Sequence, residues 1–251
     1  MTLPLLEQTL TLLNDAKLSA MARHLARWCR HPANLDKSCI EGLHAAALAQ
    51  TQARLTRRTE TFLTRARLPR SVSLNAVQPC PGLSARRLAN LATCAWVDGG
   101  GWLVITGDHG SGKTFLAGAL AREAALTRPS VHYHVLSRLL AGLGKDDAKL
   151  KKVMGQLQRA RLLVLDQFAE EVISEHHGTL LRELLDIRKG KRATVIVSAK
   201  PADEWPLAFE NPDTGSAIMH LVFGGERTLI TLSNRKEIVP AQCRRARSRN
   251  S

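Results

Sequence analysis

Residues 107–114 read Gly-Asp-His-Gly-Ser-Gly-Lys-Thr, which is the G-x-x-x-x-G-K-[ST] pattern of a phosphate-binding loop. In such a loop the backbone N–H groups point at a phosphate, Lys113 supplies a charge for the β- and γ-oxygens, and Thr114 offers Mg²⁺ a hydroxyl. The apolar run 102–106 before it is typical of a buried strand, and the stretch from Phe115 onward favours a helix. The sequence therefore predicts an ATP and Mg²⁺ site formed by Gly107, Asp108, His109, Gly110, Ser111, Gly112, Lys113 and Thr114.

Further strand-like runs follow the loop, with helical stretches between them, at residues 131–136, 162–166, 194–198 and 228–232. Alternation of this kind predicts an α/β fold with a mostly parallel sheet and helices on both faces. The second run ends in Asp166, where a P-loop ATPase carries the carboxylate that holds Mg²⁺. The third run ends in Ser198. It can lie between the run before the phosphate loop and the run that ends in Asp166, and the Ser198 hydroxyl would then touch the γ-phosphate or the attacking water. A plain strand end is the alternative for Ser198.

The first part of the chain has a helical pattern. Leucines and other apolar residues recur every three or four positions between residues 6 and 28, and a longer helical stretch runs from about 35 to 67. In that stretch Leu48, Leu55 and Phe62 form an apolar heptad stripe. Prolines at 69, 79 and 81 indicate a linker. We therefore expect a helical domain over 1–70, a nucleotide-binding domain over 71–237 and a basic, disordered tail over 238–251.

The formal net charge of +14 over 251 residues indicates a polyanionic partner. The excess lies in residues 1–100 and 235–251, with candidate DNA contacts at Arg54, Arg58, Arg65, Arg244 and Arg245; a solvated charged face is the alternative for any one of them. Nucleic acid is favoured over a membrane because the sequence has no apolar run of about 18 residues and no signal peptide. Five widely spaced cysteines argue against zinc and disulfides, and suggest a reduced, cytoplasmic protein.

The order of these motifs resembles that of the IstB-like ATPases, AAA+ transposition helpers related to the helicase loader DnaC. The resemblance is carried by Leu18-Ser-Ala-Met21-Ala, by residues 102–117, by 162–166, by 194–198 and by Ser233-Asn-Arg235-Lys. It implies a RecA-like AAA+ P-loop core with a parallel sheet, preceded by a small all-helical N-terminal domain. It also implies ATP-dependent self-association on double-stranded DNA, and recruitment or stimulation of a transposase. Ser198 then matches the sensor at a strand end, and Arg235 matches the C-terminal sensor arginine.

Two departures from the family concern ATP hydrolysis. The family has a second acid after the magnesium aspartate, which serves as general base; this chain has Gln167, which orients water but takes no proton at neutral pH. Nothing in the sequence brings Glu170 or Glu171 to that place. The family also has an arginine that projects into the neighbouring subunit, where this chain has His220, and Arg227 is the nearest candidate. We therefore expect a nucleotide switch with slow or partner-dependent hydrolysis.

Three other functions are compatible with the sequence. A helicase loader would use the same core with a replicative helicase as partner. A small-molecule P-loop kinase would explain Lys113 and Asp166, but it needs an arginine-bearing lid, whereas the basic residues here crowd the two ends. A DNA-binding scaffold with a vestigial nucleotide site would explain Gln167.

Overall fold

The computed structural model describes residues 3–34, 36–68, 71–128, 130–144, 147–225 and 227–232. The chain divides into two compact units, Met1–Thr61 and Phe62–Ser251. Arg235, Arg244, Arg245 and the predicted tail 238–251 lie outside the described residues. The predicted domain boundary is residue 70, within the second unit.

The first unit is helical, as the leucine spacing predicts. Its helices are α1 (Leu3–Asp15), α2 (Ser19–Arg30) and most of α3 (Cys39–Ala66). Helices α2 and α3 approach closely, because a Cβ built on Gly42 would lie 2.7 Å from the indole nitrogen of Trp28. At the other end of this contact, Gln50 Oε1 accepts hydrogen bonds from the N–H groups of Ala20 at 3.1 Å and Met21 at 3.2 Å.

The apolar heptad stripe on α3 does not predict which face of this helix is packed. Leu48 is 57 % exposed, whereas Phe62 is buried. In the first unit the buried face instead follows Gly42, Ala46 and Gln50 at four-residue steps. Small residues at this spacing let another helix come near, and leucines there would hold it away.

The second unit contains a parallel sheet, as predicted. Its strands are β1 (Trp102–Gly107), β2 (Val131–Val135), β3 (Leu162–Asp166), β4 (Ala193–Val197) and β5 (Arg227–Leu232). The order across the sheet is β2-β3-β4-β1-β5, and every neighbouring pair is parallel. The sequence interpretation places the 194–198 run between the run before the phosphate loop and the run that ends in Asp166. The sheet order confirms it, since β4 separates β1 from β3. All carboxyl ends therefore meet at one edge of the sheet.

Helices cover both faces of the sheet, because side chains along each strand alternate between two apolar cores. Leu103 and Ile105 of β1 belong to one core, which the helix after β1 also enters; Trp102 and Val104 belong to the other. The helices of this unit are α4 (Ala85–Ala92), α5 (Ala95–Asp98), α6 (Lys113–Thr127), α7 (Leu136–Gly142), α8 (Asp147–Arg159), α9 (Glu175–Arg188) and α10 (Pro212–Phe223). Across the described part of the chain, no helix has both the length and the hydropathy that a bilayer span needs.

A buried arginine connects the segments at the amino-terminal ends of β3 and β4. Arg188, the last residue of α9, is fully buried, and its guanidinium donates to the carbonyls of Leu157 at 2.6 Å and Ala160 at 2.9 Å. It also donates to Thr194 Oγ1 at 3.0 Å and to the Ala193 carbonyl. Burial lowers the pKa of Arg188 to about 9. The starts of β3 and β4 are thus held together, so their far ends are presented at a defined spacing.

Candidate nucleotide-binding site

The loop between β1 and α6 is curved by three glycines. Gly107, Gly110 and Gly112 have φ values of 135°, 77° and 92°, a region that favours glycine. A Cβ on Gly107 would lie 1.9 Å from the Leu232 carbonyl oxygen, so the close approach of β5 also requires a glycine there. A Cβ on Gly110 or Gly112 would meet nothing within 4 Å. At these two positions glycine is therefore required by the backbone angle and not by a close neighbour.

Lys113 is enclosed by its own loop. It is 7 % exposed, and its Nζ donates to the carbonyls of Gly107 at 2.7 Å and Asp108 at 2.6 Å. Burial lowers the pKa of the Lys113 ammonium group. Ser111 Oγ is also buried in the loop and has no hydrogen-bond partner among the residues described. A bound phosphate would satisfy this hydroxyl and the N-terminal N–H groups of α6.

The two predicted magnesium ligands are in contact. Asp166 is buried at the end of β3, and its Oδ2 accepts a hydrogen bond from Thr114 Oγ1 at 3.0 Å. Its Oδ1 accepts from the Gln167 N–H at 2.9 Å. A hydroxyl beside a carboxylate is the kind of hard oxygen pair that Mg²⁺ prefers. These oxygens therefore fit that ion, and the assignment of Thr114 and Asp166 as magnesium ligands remains a prediction.

Tyr133 is a site residue that the sequence analysis missed. Its hydroxyl, on β2, donates to Asp166 Oδ2 at 2.5 Å. Burial, and then the Asp166 charge, raise the pKa of Tyr133, so it stays a protonated donor. It is the one tyrosine of the sequence, which is the only signal that could have singled it out.

Gln167 and Ser198 differ in what they contact. Gln167 directly follows Asp166 and is exposed at the edge of the site. Ser198 is fully buried; its Oγ donates to the Phe168 carbonyl at 2.7 Å and accepts from the Lys200 N–H at 3.1 Å. These bonds fix the segment after β3 against the end of β4. Contact of Ser198 with a phosphate or a water remains a prediction.

Glu170 reaches the site, which the sequence alone gives no reason to expect. It lines a cavity of about 350 Å³ together with Lys113, Thr114, Asp166 and Gln167. Its Oε1 accepts a hydrogen bond from the Ala199 N–H at 3.1 Å.

A second cavity is also lined by residues of the loop. It has a volume of about 410 Å³ and is lined mainly by apolar groups of the segment before β1, among them Val77, Cys80 and Leu83, and by Phe115 of α6. Such a pocket beside a phosphate loop has the size and polarity that suit a nucleobase. No motif in the sequence marks these residues, because apolar contact with a flat ring requires no fixed residue type.

The remaining predicted residues either lie outside the described ranges or line neither of these two cavities. Arg227 begins β5, opposite the carboxyl edge, and donates to the carbonyls of Phe223 at 2.5 Å and Gly225 at 3.1 Å. His220 lies on α10. The predicted DNA contacts Arg54, Arg58 and Arg65 are exposed on α3.

The sequence is similar to proteins of bacterial insertion sequences. The profile of the family described as IstB-like ATP binding protein matches residues 11–228. A protein named for ATP binding in insertion sequence IS1162 of Pseudomonas fluorescens is 30 % identical over 78 % of this chain and 87 % of its own length. The corresponding IS21 protein of Pseudomonas aeruginosa is 28 % identical over 87 % of this chain and 84 % of its own. A relative from Sinorhizobium fredii is 33 % identical, over 55 % of this chain and 57 % of its own length.

The fold is similar to that of the solved structures of DnaI and the DnaC helicase loader. DnaI aligns with a TM-score of 0.54 at 20 % identity, covering 66 % of this chain and 94 % of DnaI. The DnaC helicase loader aligns with a TM-score of 0.50 at 19 % identity, covering 65 % of this chain and 97 % of DnaC. Because the sequence identities are only 19 % and 20 %, these similarities are evidence for the fold alone. The predicted fold class, an AAA+ P-loop core with a parallel sheet and a helical N-terminal part, is confirmed.

Proposed function

The chain belongs to the family of IstB-like ATP-binding proteins, and we propose that it assembles on double-stranded DNA in an ATP-dependent way and there recruits or stimulates a transposase. Its own ATP hydrolysis is slow or depends on a partner. The observation on which the proposal rests is the contact of Thr114 with Asp166 at the end of a glycine-curved loop. Together with the family, this contact supports an ATP site rather than a Gly-rich turn.

ATP is held by residues 107–114, with Lys113 facing the β- and γ-phosphates. Val77, Cys80 and Leu83 form the pocket for the base, which supports a bound nucleotide rather than a free phosphate. Thr114 and Asp166 hold Mg²⁺. When bound, the ion neutralises charge on the β- and γ-oxygens. Tyr133 keeps the Asp166 carboxylate in the orientation that the ion needs.

Two sensor residues complete the proposed ATP site. Ser198 couples the end of β4 to the segment after β3. Arg235, outside the described residues, is assigned by the family pattern as the C-terminal sensor arginine.

Double-stranded DNA is bound through phosphate contacts of arginines. The net charge of +14 supports a polyanionic partner, and Arg54, Arg58 and Arg65 on α3 are exposed. Arg244 and Arg245 add charge from the C-terminal end. We place this activity in the cytoplasm, where both ATP and the DNA of an insertion sequence are found. The transposase is the partner that the insertion-sequence relatives favour.

Hydrolysis is expected to be weak, because Gln167 and His220 stand where the family has an acid and an arginine. Loss of either group slows the chemical step without weakening the binding of ATP. A nucleotide-bound assembly would then persist on DNA until a partner acts.

A helicase loader is the second candidate, because the DnaC loader shares the fold. A small-molecule kinase is less well supported, because the relatives with similar sequences over most of the chain are named for insertion sequences. Adding a transposase of an IS21-type element, and separately a replicative helicase, to the DNA-bound chain distinguishes the first two. We expect ATP-dependent retention of the transposase alone.

The proposal is tested by the assembly state on duplex DNA. We expect mass photometry to find larger complexes with ATP than with ADP. Thr114→Val removes the hydroxyl that contacts Asp166, and should abolish the difference. Thr127→Val, at the other end of α6, is the matched control and should preserve it. Identical complexes with both nucleotides would contradict the proposal.

A further inference from the structure

The segment after β3 makes two strained turns. Gln167 and Ala169 each have a φ of 57°, in the left-handed region that residues with a Cβ seldom adopt. Phe168, between them, is fully buried and packs on Trp205, with ring centroids 4.7 Å apart. Its N–H donates to the carbonyl of the last residue of β4 at 2.8 Å. Strain of this kind persists only where the surroundings hold it, and it often occurs at functional sites.

These turns precede Glu170, whose carboxylate is tied to the end of β4. The Ala199 N–H donates to Glu170 Oε1 at 3.1 Å, which fixes one carboxylate oxygen. The side chain also lines the cavity that contains Lys113, Thr114 and Asp166. Glu170 is therefore part of the lining of the nucleotide site.

A purely structural role explains less of this arrangement. The Ala199 N–H requires an acceptor, and a glutamine amide at position 170 would provide one as well as a carboxylate does. A structural tether also does not require the strained turns that bring the residue to the cavity. The next acid, Glu171, is exposed.

We propose that Glu170 is the general base for ATP hydrolysis, three residues beyond the position that Gln167 occupies. This inference rests on the proposed function, and in particular on binding of ATP between Lys113 and Asp166. The water oxygen forms a bond to the γ-phosphorus while the bond from that phosphorus to the β,γ-bridging oxygen breaks. The water proton passes to the Glu170 carboxylate and then to solvent, and ADP leaves with the bridging oxygen. Gln167 orients the water through its amide.

The test compares Glu170→Gln with its neighbour Glu171→Gln. The first substitution keeps an acceptor for the Ala199 N–H and removes the base, so the fold should persist. Phosphate release with duplex DNA should fall about 100-fold, within the range of general-base contributions. The affinity for a non-hydrolysable ATP analogue relative to ADP should rise about threefold, because a negative charge facing the additional phosphate is gone. Glu171→Gln should change neither quantity.

A second substitution distinguishes a catalytic role of Glu170 from a purely structural one. Adding Gln167→Glu to Glu170→Gln supplies a carboxylate beside Asp166, and should restore phosphate release about tenfold. The inference is overturned if Glu170→Gln keeps the turnover of the parent chain, if its preference for the ATP analogue is unchanged, or if the parent chain releases no phosphate. In each case ATP binding by the parent chain would still support the proposed function. A parent chain that binds no ATP would overturn both.

Discussion

Replacing Lys113 with alanine tests the nucleotide site most directly. The Lys113 ammonium group is buried and donates to two loop carbonyls, at 2.7 Å from Gly107 and at 2.6 Å from Asp108. With ATP present, the same charge lies beside the β- and γ-phosphates. A charge-assisted hydrogen bond contributes about 1.5–3 kcal/mol. Since 1.4 kcal/mol is tenfold in affinity, removal of one such bond predicts an ATP affinity about 10- to 150-fold weaker.

The measurement is a fluorescent-nucleotide titration of the parent chain, Lys113→Ala and a control. Lys189→Ala is the matched control, because it removes an equal charge from the end of α9, at the opposite edge of the sheet. Its affinity should stay within about twofold of the parent value. Thermal unfolding should confirm that Lys113→Ala remains folded. An unchanged affinity in a folded Lys113→Ala chain would refute the assignment of residues 107–114 as the phosphate loop.

Three further predictions concern stability, DNA binding and turnover. Arg188→Met leaves buried carbonyl acceptors without a donor and should lower the free energy of unfolding by about 3–5 kcal/mol in urea denaturation; a loss under about 1 kcal/mol would contradict the role given to this side chain. Replacing Arg54, Arg58 and Arg65 with alanine should make the DNA-binding constant depend less on salt concentration. The slope of its logarithm against the logarithm of salt concentration, measured by anisotropy on duplex DNA, should fall by about 0.9 for each phosphate that is no longer neutralised. An unchanged slope would mean that these arginines serve another partner. Gln167→Glu places a carboxylate at the position that the family uses, in addition to Glu170, and should raise phosphate release about tenfold with DNA present and ATP affinity retained, whereas no change from an already brisk rate would mean that Glu170 alone suffices as the base.

Local sequence patterns were sufficient for the parts of the fold that depend on neighbours in the chain. The apolar, β-branched runs give the strands, and the glycines of residues 107–114 give the loop and the start of α6. Asp166 was recognisable because its carboxylate ends such a run. The interpretation of β4 as the strand between β1 and β3 depended on the chemistry expected of Ser198, and the sheet order confirms it.

The parts that sequence reasoning missed depend on contacts between distant residues. Tyr133 reaches Asp166 from a strand that precedes it by 33 positions, and Glu170 reaches Ala199 across 29. Neither pair has a spacing pattern, because each contact exists only after the strands align. The packed face of α3 was missed for another reason. Close approach of two helices favours small residues such as Gly42, and a search for periodic apolar residues does not detect glycine.

The left-handed turns at Gln167 and Ala169 also limit which mutations the chain tolerates. Gln167 is exposed, and surface positions usually accept most substitutions. At a φ of 57°, however, Val, Ile and Thr crowd the backbone, whereas Gly and Asn are accommodated readily. A saturation library at position 167 would therefore be depleted in β-branched residues and enriched in glycine and asparagine, whereas the buried position 169 should accept glycine but not asparagine. At position 167 the pattern of tolerated residues would be set by backbone geometry rather than by burial.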